Sequence, residues 1–290
     1  MEKCWTVTLP NGVVMPMLGL GTSKAERAVL VDAVRYAVDE EQCRLVDTAK
    51  RYGNEDLVGD ALQGCRCAQN EVFLTTKLWP GDAGNVYQAF RTSVQRLGLT
   101  PEERPLDLYL VHWPGAWGSE CTSASICKQV RQDTWRSMEG LLEKGLCRAI
   151  GVSNFLRSHL QDVEETAAVQ PMVNQIEFNP FQNPKSLVEY CVECGIQVEG
   201  YCPLAKGCAL EQRSAVELSQ KYDCSVAQLL IRWSLQKGVV TIPKSVSPAR
   251  IHENFDVFDN PMFPIQEGDM EKMEQWHCNL RVTWDPTDVL

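Results

Sequence analysis

The chain has 290 residues, 44% of them hydrophobic and 23% charged, with only 15 Pro and 19 Gly, which excludes disorder, collagen and low-complexity repeats and leaves enough apolar material for a sizeable core. The 28 Lys plus Arg against 38 Asp plus Glu give a net charge of -10 with no basic cluster, so binding to nucleic acid by phosphate neutralisation is not expected. Mean hydropathy is -0.23, no apolar run approaches the ~20 residues that span a bilayer, and Met1-Glu2-Lys3-Cys4-Trp5 does not open a signal peptide, so a cytoplasmic protein with no membrane partner is expected.

In chain order, Pro10-Asn11-Gly12 lies between the β-prone runs 5–9 and 13–15, a strong hairpin signal. Short β-like runs then recur at 17–20, 44–47, 72–76, 106–111, 149–152, 173–176, 197–200 and 239–242. Segments of helical period lie between them, among them 25–39, 83–97, 134–144, 185–194, 214–222 and 225–237. Eight apolar strands alternating with helices in about 240 residues predict an α/β fold, a (β/α)8 TIM barrel with an N-terminal β-hairpin. An open doubly wound sheet is the runner-up, although Gly19-Leu20-Gly21 continues without the third glycine of its dinucleotide fingerprint. Gly140 to Gly145 has P-loop spacing, but Leu146-Cys147 follows where lysine and hydroxyl are needed. No Gly-, Pro- or Ser-rich linker divides the chain, so residues 1–290 read as a single domain.

The 13 cysteines are an odd count without a secretory signal and read as reduced thiols. Cys65-x-Cys67 and Cys191-x-x-Cys194 lack a second pair at finger distance, and no metal is expected.

In a barrel, chemistry collects on the loops after the carboxyl ends of the strands. Here the second strand ends at Asp47 with Tyr52 just beyond, the third reaches Lys77, and the fourth is followed by His112. Together they make a proton donor for a carbonyl. A phenol near pKa ~10 is a poor acid at pH 7, but a neighbouring ammonium lowers that value. Lys77 can be that cation, Asp47 keeps it charged, and His112 can hydrogen-bond an oxygen that gains negative charge. Taken singly, each residue reads more readily as a helix cap, a surface charge or a core histidine than as a functional group; their joint placement at three successive strand ends favours the functional reading.

The strings Leu18-Gly19-Leu20-Gly21-Thr22, Asp47-Thr48-Ala49 with Tyr52-Gly53-Asn54-Glu55, Lys77-Leu78-Trp79, His112-Trp113-Pro114, Gly151-Val152-Ser153-Asn154-Phe155 and Ile242-Pro243-Lys244-Ser245 closely resemble the aldo-keto reductase superfamily, in order and spacing, over essentially the whole chain. The resemblance implies NADP(H)-dependent reduction of a small-molecule aldehyde or ketone. Tyr52 would be the general acid, Asp47 and Lys77 its tuning pair, and His112 the residue that orients the carbonyl. For the cofactor, Ser153, Asn154 and Gln175 match the residues that bind the carboxamide and Tyr201 the ring that stacks on the nicotinamide. Gly21, Thr22, Leu204, Lys244, Ser245, Val246, Arg250, Glu253 and Asn254 match further cofactor positions. Lys244 and Arg250 suit a 2'-phosphate, where an NAD site offers a carboxylate to the free hydroxyl; as a bland alternative they are solvated charges, with Ser247 capping a helix from Pro248.

Ser23 stands where many relatives have tryptophan, which widens or wets the pocket, and Trp79, Trp113 and Trp117 complete its walls. The segment after the seventh strand, 202–211, is short, implying less gated cofactor release. The short tail 279–286 resembles that of glyoxal reductases, diketogluconate reductases and prostaglandin F synthase-like enzymes. Cys202, beside Tyr201, offers a redox handle on cofactor stacking if it is not an inert buried thiol. The resemblance implies a monomer. The alternative function is a non-catalytic barrel, crystallin-like or channel-associated, which has no need of the intact quartet.

Overall fold

The computed structural model describes residues 5–115, 123–258 and 263–290. Strands β1 (Thr6–Thr8) and β2 (Val14–Pro16) pair antiparallel, with Thr6 opposite Pro16 and Thr8 opposite Val14, around a turn containing Gly12. Eight parallel strands follow: β3 (Leu20–Gly21), β4 (Leu45–Asp47), β5 (Phe73–Leu78), β6 (Leu106–Val111), β7 (Cys147–Ser153), β8 (Val173–Glu177), β9 (Gln197–Tyr201) and β10 (Val240–Ile242). Each pairs with the next in sequence. The two ends of the row then meet, because Leu18 bridges Thr241, Gly21 bridges Lys244, and the Gly19 amide donates to the Thr241 carbonyl at 3.0 Å. That closure makes a (β/α)8 barrel with an N-terminal hairpin, as expected, and sets aside the open sheet.

The helices are α1 (Arg27–Asp39), α2 (Glu55–Gln63), α3 (Val86–Arg96), α4 (Ala124–Glu143), α5 (Arg157–Glu164), α6 (Lys185–Glu193), α7 (Arg213–Lys221), α8 (Val226–Gln236), α9 (Pro248–Phe255) and α10 (Glu267–Glu274). Their apolar stripes face the outside of the barrel: α1 buries Leu30, Ala33, Val34, Ala37 and Val38, spaced three and four residues apart. A capping box starts α8, where the Ser225 hydroxyl accepts from the Gln228 amide and the Gln228 side chain returns to the Ser225 amide. The helix expected at 134–144 begins at Ala124 instead, with Ser123 capping the Ile126 amide. Its first turns hide from a hydropathy reading because a polar pair, Arg131 and Gln132, is buried there, held by Asp162 of α5.

Inside the barrel, Leu45, Phe73, Leu108, Leu110, Val173 and Val240 pack with Leu9 and Met15 of the hairpin segment. The hairpin therefore caps an apolar floor, in which each fully buried Leu or Phe contributes about 1.5–3 kcal/mol. Ten described cysteines are free thiols, whereas Cys127 in α4 is disulfide-bonded, so the fully reduced reading does not extend to it. Among the described residues, no helix is long and apolar enough to cross a membrane.

Candidate active site

The site is built on the carboxyl ends of β4, β5 and β6. Tyr52 ends a single 3-10 turn, Lys50–Tyr52, stopped by Gly53 in the left-handed region at φ 66, a conformation glycine adopts without a Cβ penalty. A buried net of hydrogen bonds braces this loop. Thr22 Oγ1 donates to the Asp47 carbonyl at 2.9 Å, Asn54 Nδ2 donates to the Thr22 carbonyl at 3.0 Å, and Thr48 Oγ1 donates to Asn54 Oδ1 at 2.8 Å. Gly21 completes the approach of β3 to β10, since a Cβ there would stand 2.9 Å from the Ile242 carbonyl oxygen.

Lys77 is wholly buried, and its Nζ donates to Asp47 Oδ1 at 2.7 Å and Oδ2 at 2.5 Å, to the Thr48 carbonyl at 2.9 Å and to the Tyr52 hydroxyl at 3.3 Å. Burial by itself lowers the lysine pKa, but Asp47 and Tyr52 outweigh it and the ammonium titrates above its ordinary value. The half-buried Tyr52 phenol is raised above its ordinary value by desolvation, while Lys77 and the Ser23 hydroxyl pull it down. The expectation that Lys77 takes the phenol below its ordinary pKa is thus met in the sign of the lysine's effect and not in the net: removing water from the phenolate outweighs one cation already shared with Asp47.

His112 meets the edge of Tyr52 with ring centroids 5.6 Å apart and that of Trp79 at 5.6 Å. Burial, then the charges of Lys77 and Arg51, hold its pKa well below the ordinary value, so the imidazole is neutral at pH 7; its Nδ1 is buried without a hydrogen-bond partner. Trp79 is half-buried and Trp113 buried, both beside His112 in sequence or space, and Trp284 of the tail packs against both, at centroid distances of 6.3 and 5.9 Å. Trp117 lies outside the described residues.

The expected carboxamide residues sit on the next strand ends. Ser153 Oγ donates to the Gln175 backbone carbonyl at 2.9 Å, and Asn154 Nδ2 donates to Ser153 Oγ at 3.0 Å and to the His112 backbone carbonyl at 3.1 Å. The Tyr201 hydroxyl donates to Asn154 Oδ1 at 2.6 Å and lies 3.1 Å from Thr283 Oγ1. Gln175 Nε2 reaches Asp47 Oδ2 at 2.9 Å, tying this group to the Asp47–Lys77 pair. Leu204 packs half-buried against the core just before the 3-10 stretch Ala205–Glu211. Cys202, directly after Tyr201, is in the left-handed region at φ 51; burial first and then Glu177 push its thiol up to about 11, which disfavours the reactive thiolate a redox handle requires.

Beyond β10, Lys244 and Arg250 are exposed, Ser245 and Asn254 buried, and Val246 and Glu253 half-buried. Ser247 occupies the position before α9 but its side chain makes no cap bond; its amide instead donates to Ser245 Oγ at 3.2 Å. Among the described residues, no ion pair engages Lys244 or Arg250, a pair of free cations that fits a phosphate.

Three participants, Glu199, Glu177 and Trp284, went unread in the sequence. Glu199 is buried in β9 with Oε2 3.0 Å from Gln175 Nε2. Glu177, at the end of β8, accepts from the amides of Val282 at 2.8 Å and Thr283 at 3.1 Å and from the Thr283 hydroxyl, and so ties down the tail that carries Trp284. A carboxylate inside a buried parallel strand was the available signal for both acids.

The aldo/keto reductase family matches residues 16–276. The chain belongs to that family. Among its relatives, the glyoxal reductase of Bacillus subtilis (strain 168) is 41% identical over 288 residues, covering 98% of this chain and 97% of the relative. The methylglyoxal reductase DkgA of Yersinia pestis is 39% identical over 282 residues, covering 97% and 95%. The solved structure of a Gox0644 variant in complex with NADPH superposes with a TM-score of 0.87 at 33% identity, covering 98% of each chain. As an aldo/keto reductase the chain is an oxidoreductase, in agreement with its motifs.

Proposed function

We propose that Tyr52 is the general acid of an NADPH-dependent reduction of aldehydes and ketones to alcohols, with Asp47, Lys77 and His112 as its catalytic partners. The observation that carries this reading is the Lys77 ammonium held between the Asp47 carboxylate and the Tyr52 hydroxyl. When bound, NADPH supplies the hydride. The phenol gives its proton to the carbonyl oxygen as negative charge develops there, and the resulting phenolate is stabilised by Lys77, whose own charge Asp47 maintains. Neutral His112 orients the same oxygen without competing as an acid.

Ser153, Asn154, Gln175 and Tyr201 would hold the nicotinamide end, Gly21, Thr22 and Leu204 the middle, and Lys244, Ser245, Val246, Arg250, Glu253 and Asn254 the adenosine end with its phosphate. Ser23, Trp79 and Trp113 would line the substrate pocket, to which Trp284 adds an aromatic wall, and Trp117, outside the described residues, is assigned to it from the sequence alone; apolar and flat carbonyl compounds fit it. With a glyoxal reductase and a methylglyoxal reductase among its relatives, small dicarbonyls head the substrate panel. The reading includes a single domain over residues 1–290, acting as a monomer in the cytoplasm.

Tyr52→Phe is the test. The variant is expected to keep its thermal midpoint and NADPH affinity and to lose about 10²–10⁴-fold in kcat, measured by NADPH absorbance with glyoxal and methylglyoxal. Unchanged turnover would remove Tyr52 from the role. Tight NADPH binding with no turnover in the natural chain would favour the non-catalytic barrel.

A further inference from the structure

Glu199 sits mid-strand on β9 with no exposed surface, pointing to the same interior as Asp47 and Lys77. Among the described residues no cation pairs with it, its Oε1 has no hydrogen-bond partner, and its one neutralising contact is Gln175 Nε2 at 3.0 Å. A carboxyl in that setting is costly to bury, and an aliphatic residue would serve a barrel strand better. A feature that works against the fold points to the site.

Gln175 Nε2 also stands 2.9 Å from Asp47 Oδ2, so one atom faces two carboxyl groups on two different strands. The two ends of an amide are ordinarily exchangeable by a flip. Here they are not: Asp47 already takes the Lys77 ammonium on both oxygens and acts only as an acceptor, so a carbonyl oxygen turned toward it would meet acceptor with acceptor. The NH2 group must face inward, and both its hydrogens are used there.

We infer that Glu199 is a positioning residue: together with Asp47 it occupies both amide protons of Gln175 and thereby commits the Gln175 carbonyl oxygen, a pure acceptor, to the N–H donors of the nicotinamide carboxamide. The inference rests on the assignment of Gln175 to that carboxamide made above. Desolvation and then the Asp47 charge push the Glu199 carboxyl up to about 8, opposed by Gln175 and Lys77, and the neutral acid still accepts through Oε2. The charged groups that act on it are thus Asp47 on β4 and Lys77 on β5.

The test uses equilibrium binding, read by tryptophan fluorescence quenching, of NADPH and of its 3-acetylpyridine analogue, in which a methyl ketone replaces the carboxamide and no N–H donor remains. The natural chain should prefer NADPH about tenfold, the loss typical when a buried acceptor is left unpaired. Glu199→Leu removes one of the two acceptors that hold the NH2 group inward, leaves one amide hydrogen unpaired and the side chain less firmly held, and should shrink that preference to within about threefold, while Glu199→Gln, which keeps an acceptor toward Gln175, should retain it. Gln175→Leu separates the two levels of the argument. If it leaves the preference intact, the assignment of Gln175 itself fails. If it abolishes the preference while Glu199→Leu keeps it, the role of Glu199 alone is overturned. Circular dichroism melting establishes that each variant folds; should Glu199→Leu not fold, loss of the preference in Glu199→Gln overturns the inference by itself.

Discussion

Leu45 and Asp47 stand two residues apart on β4, Phe73 and Lys77 four apart on β5, and Val173 and Gln175 two apart on β8, so the members of each pair share one face of their strand. The first member of each packs into the apolar floor beneath the hairpin, and the second joins a chain of charged and polar groups at the rim. One or two periods of the same strands thus separate residues that stabilise the fold from residues that strain it. The floor resembles any protein interior, where close packing decides the cost of change. At the rim, Lys77, Asp47, Gln175 and Glu199 are all buried, and each is tolerated only through its neighbours.

Substitutions can break or sharpen this contrast. Lys77→Met should have the largest effect on stability, about 3–5 kcal/mol, because Asp47 would be left buried without its cation, and it should also depress kcat; chemical denaturation together with NADPH oxidation reads both. If it unfolds no more easily than the natural chain, the rim is not strained. Leu108→Ala, in the floor, should cost about 2–5 kcal/mol while kcat at a temperature where the variant is folded stays within about threefold, so that stability and activity separate where at Lys77 they do not.

The smallest effect concerns Glu199. Its carboxyl titrates at about 8 in the folded protein against an ordinary 4.5, so between those values the unfolded chain has lost a proton that the native state keeps. Stability supplied by this group is complete below pH 4.5 and declines as the pH rises through that window. The thermal midpoint of Glu199→Gln should therefore gain on that of the natural chain from about pH 5 to pH 8, by a few degrees; parallel profiles would mean that Glu199 is ionised throughout.

The strands were legible because each is a short apolar run between turn signals, and β6 was read with the bounds it has in the structure. The quartet was legible for a related reason: it lies at strand ends, where barrel geometry alone brings distant residues together. The start of α4 was obscured by the buried Arg131, whose partner Asp162 belongs to the next helix. Glu177 and Glu199 were not legible as site residues, since what each does depends on contacts made far along the chain: Glu177 binds the tail 105 and 106 residues away, and the Gln175 that holds Glu199 reaches Asp47 across 128. Trp284 is one tryptophan among eight until Glu177 pins its backbone neighbours over Trp79 and Trp113.

Periodicity, turn chemistry and the order of motifs by themselves determined the barrel, its hairpin and the candidate reacting groups, because those depend on residue type and on which face of a strand a residue occupies. Tertiary structure alone decided the electrostatics and the long-range contacts: that desolvation of Tyr52 outweighs Lys77, that a second carboxyl shares Gln175 with Asp47, and that the tail sets Trp284 against Trp113. Burial and the distances between charges set these balances, and neither exists until the strands have closed the barrel.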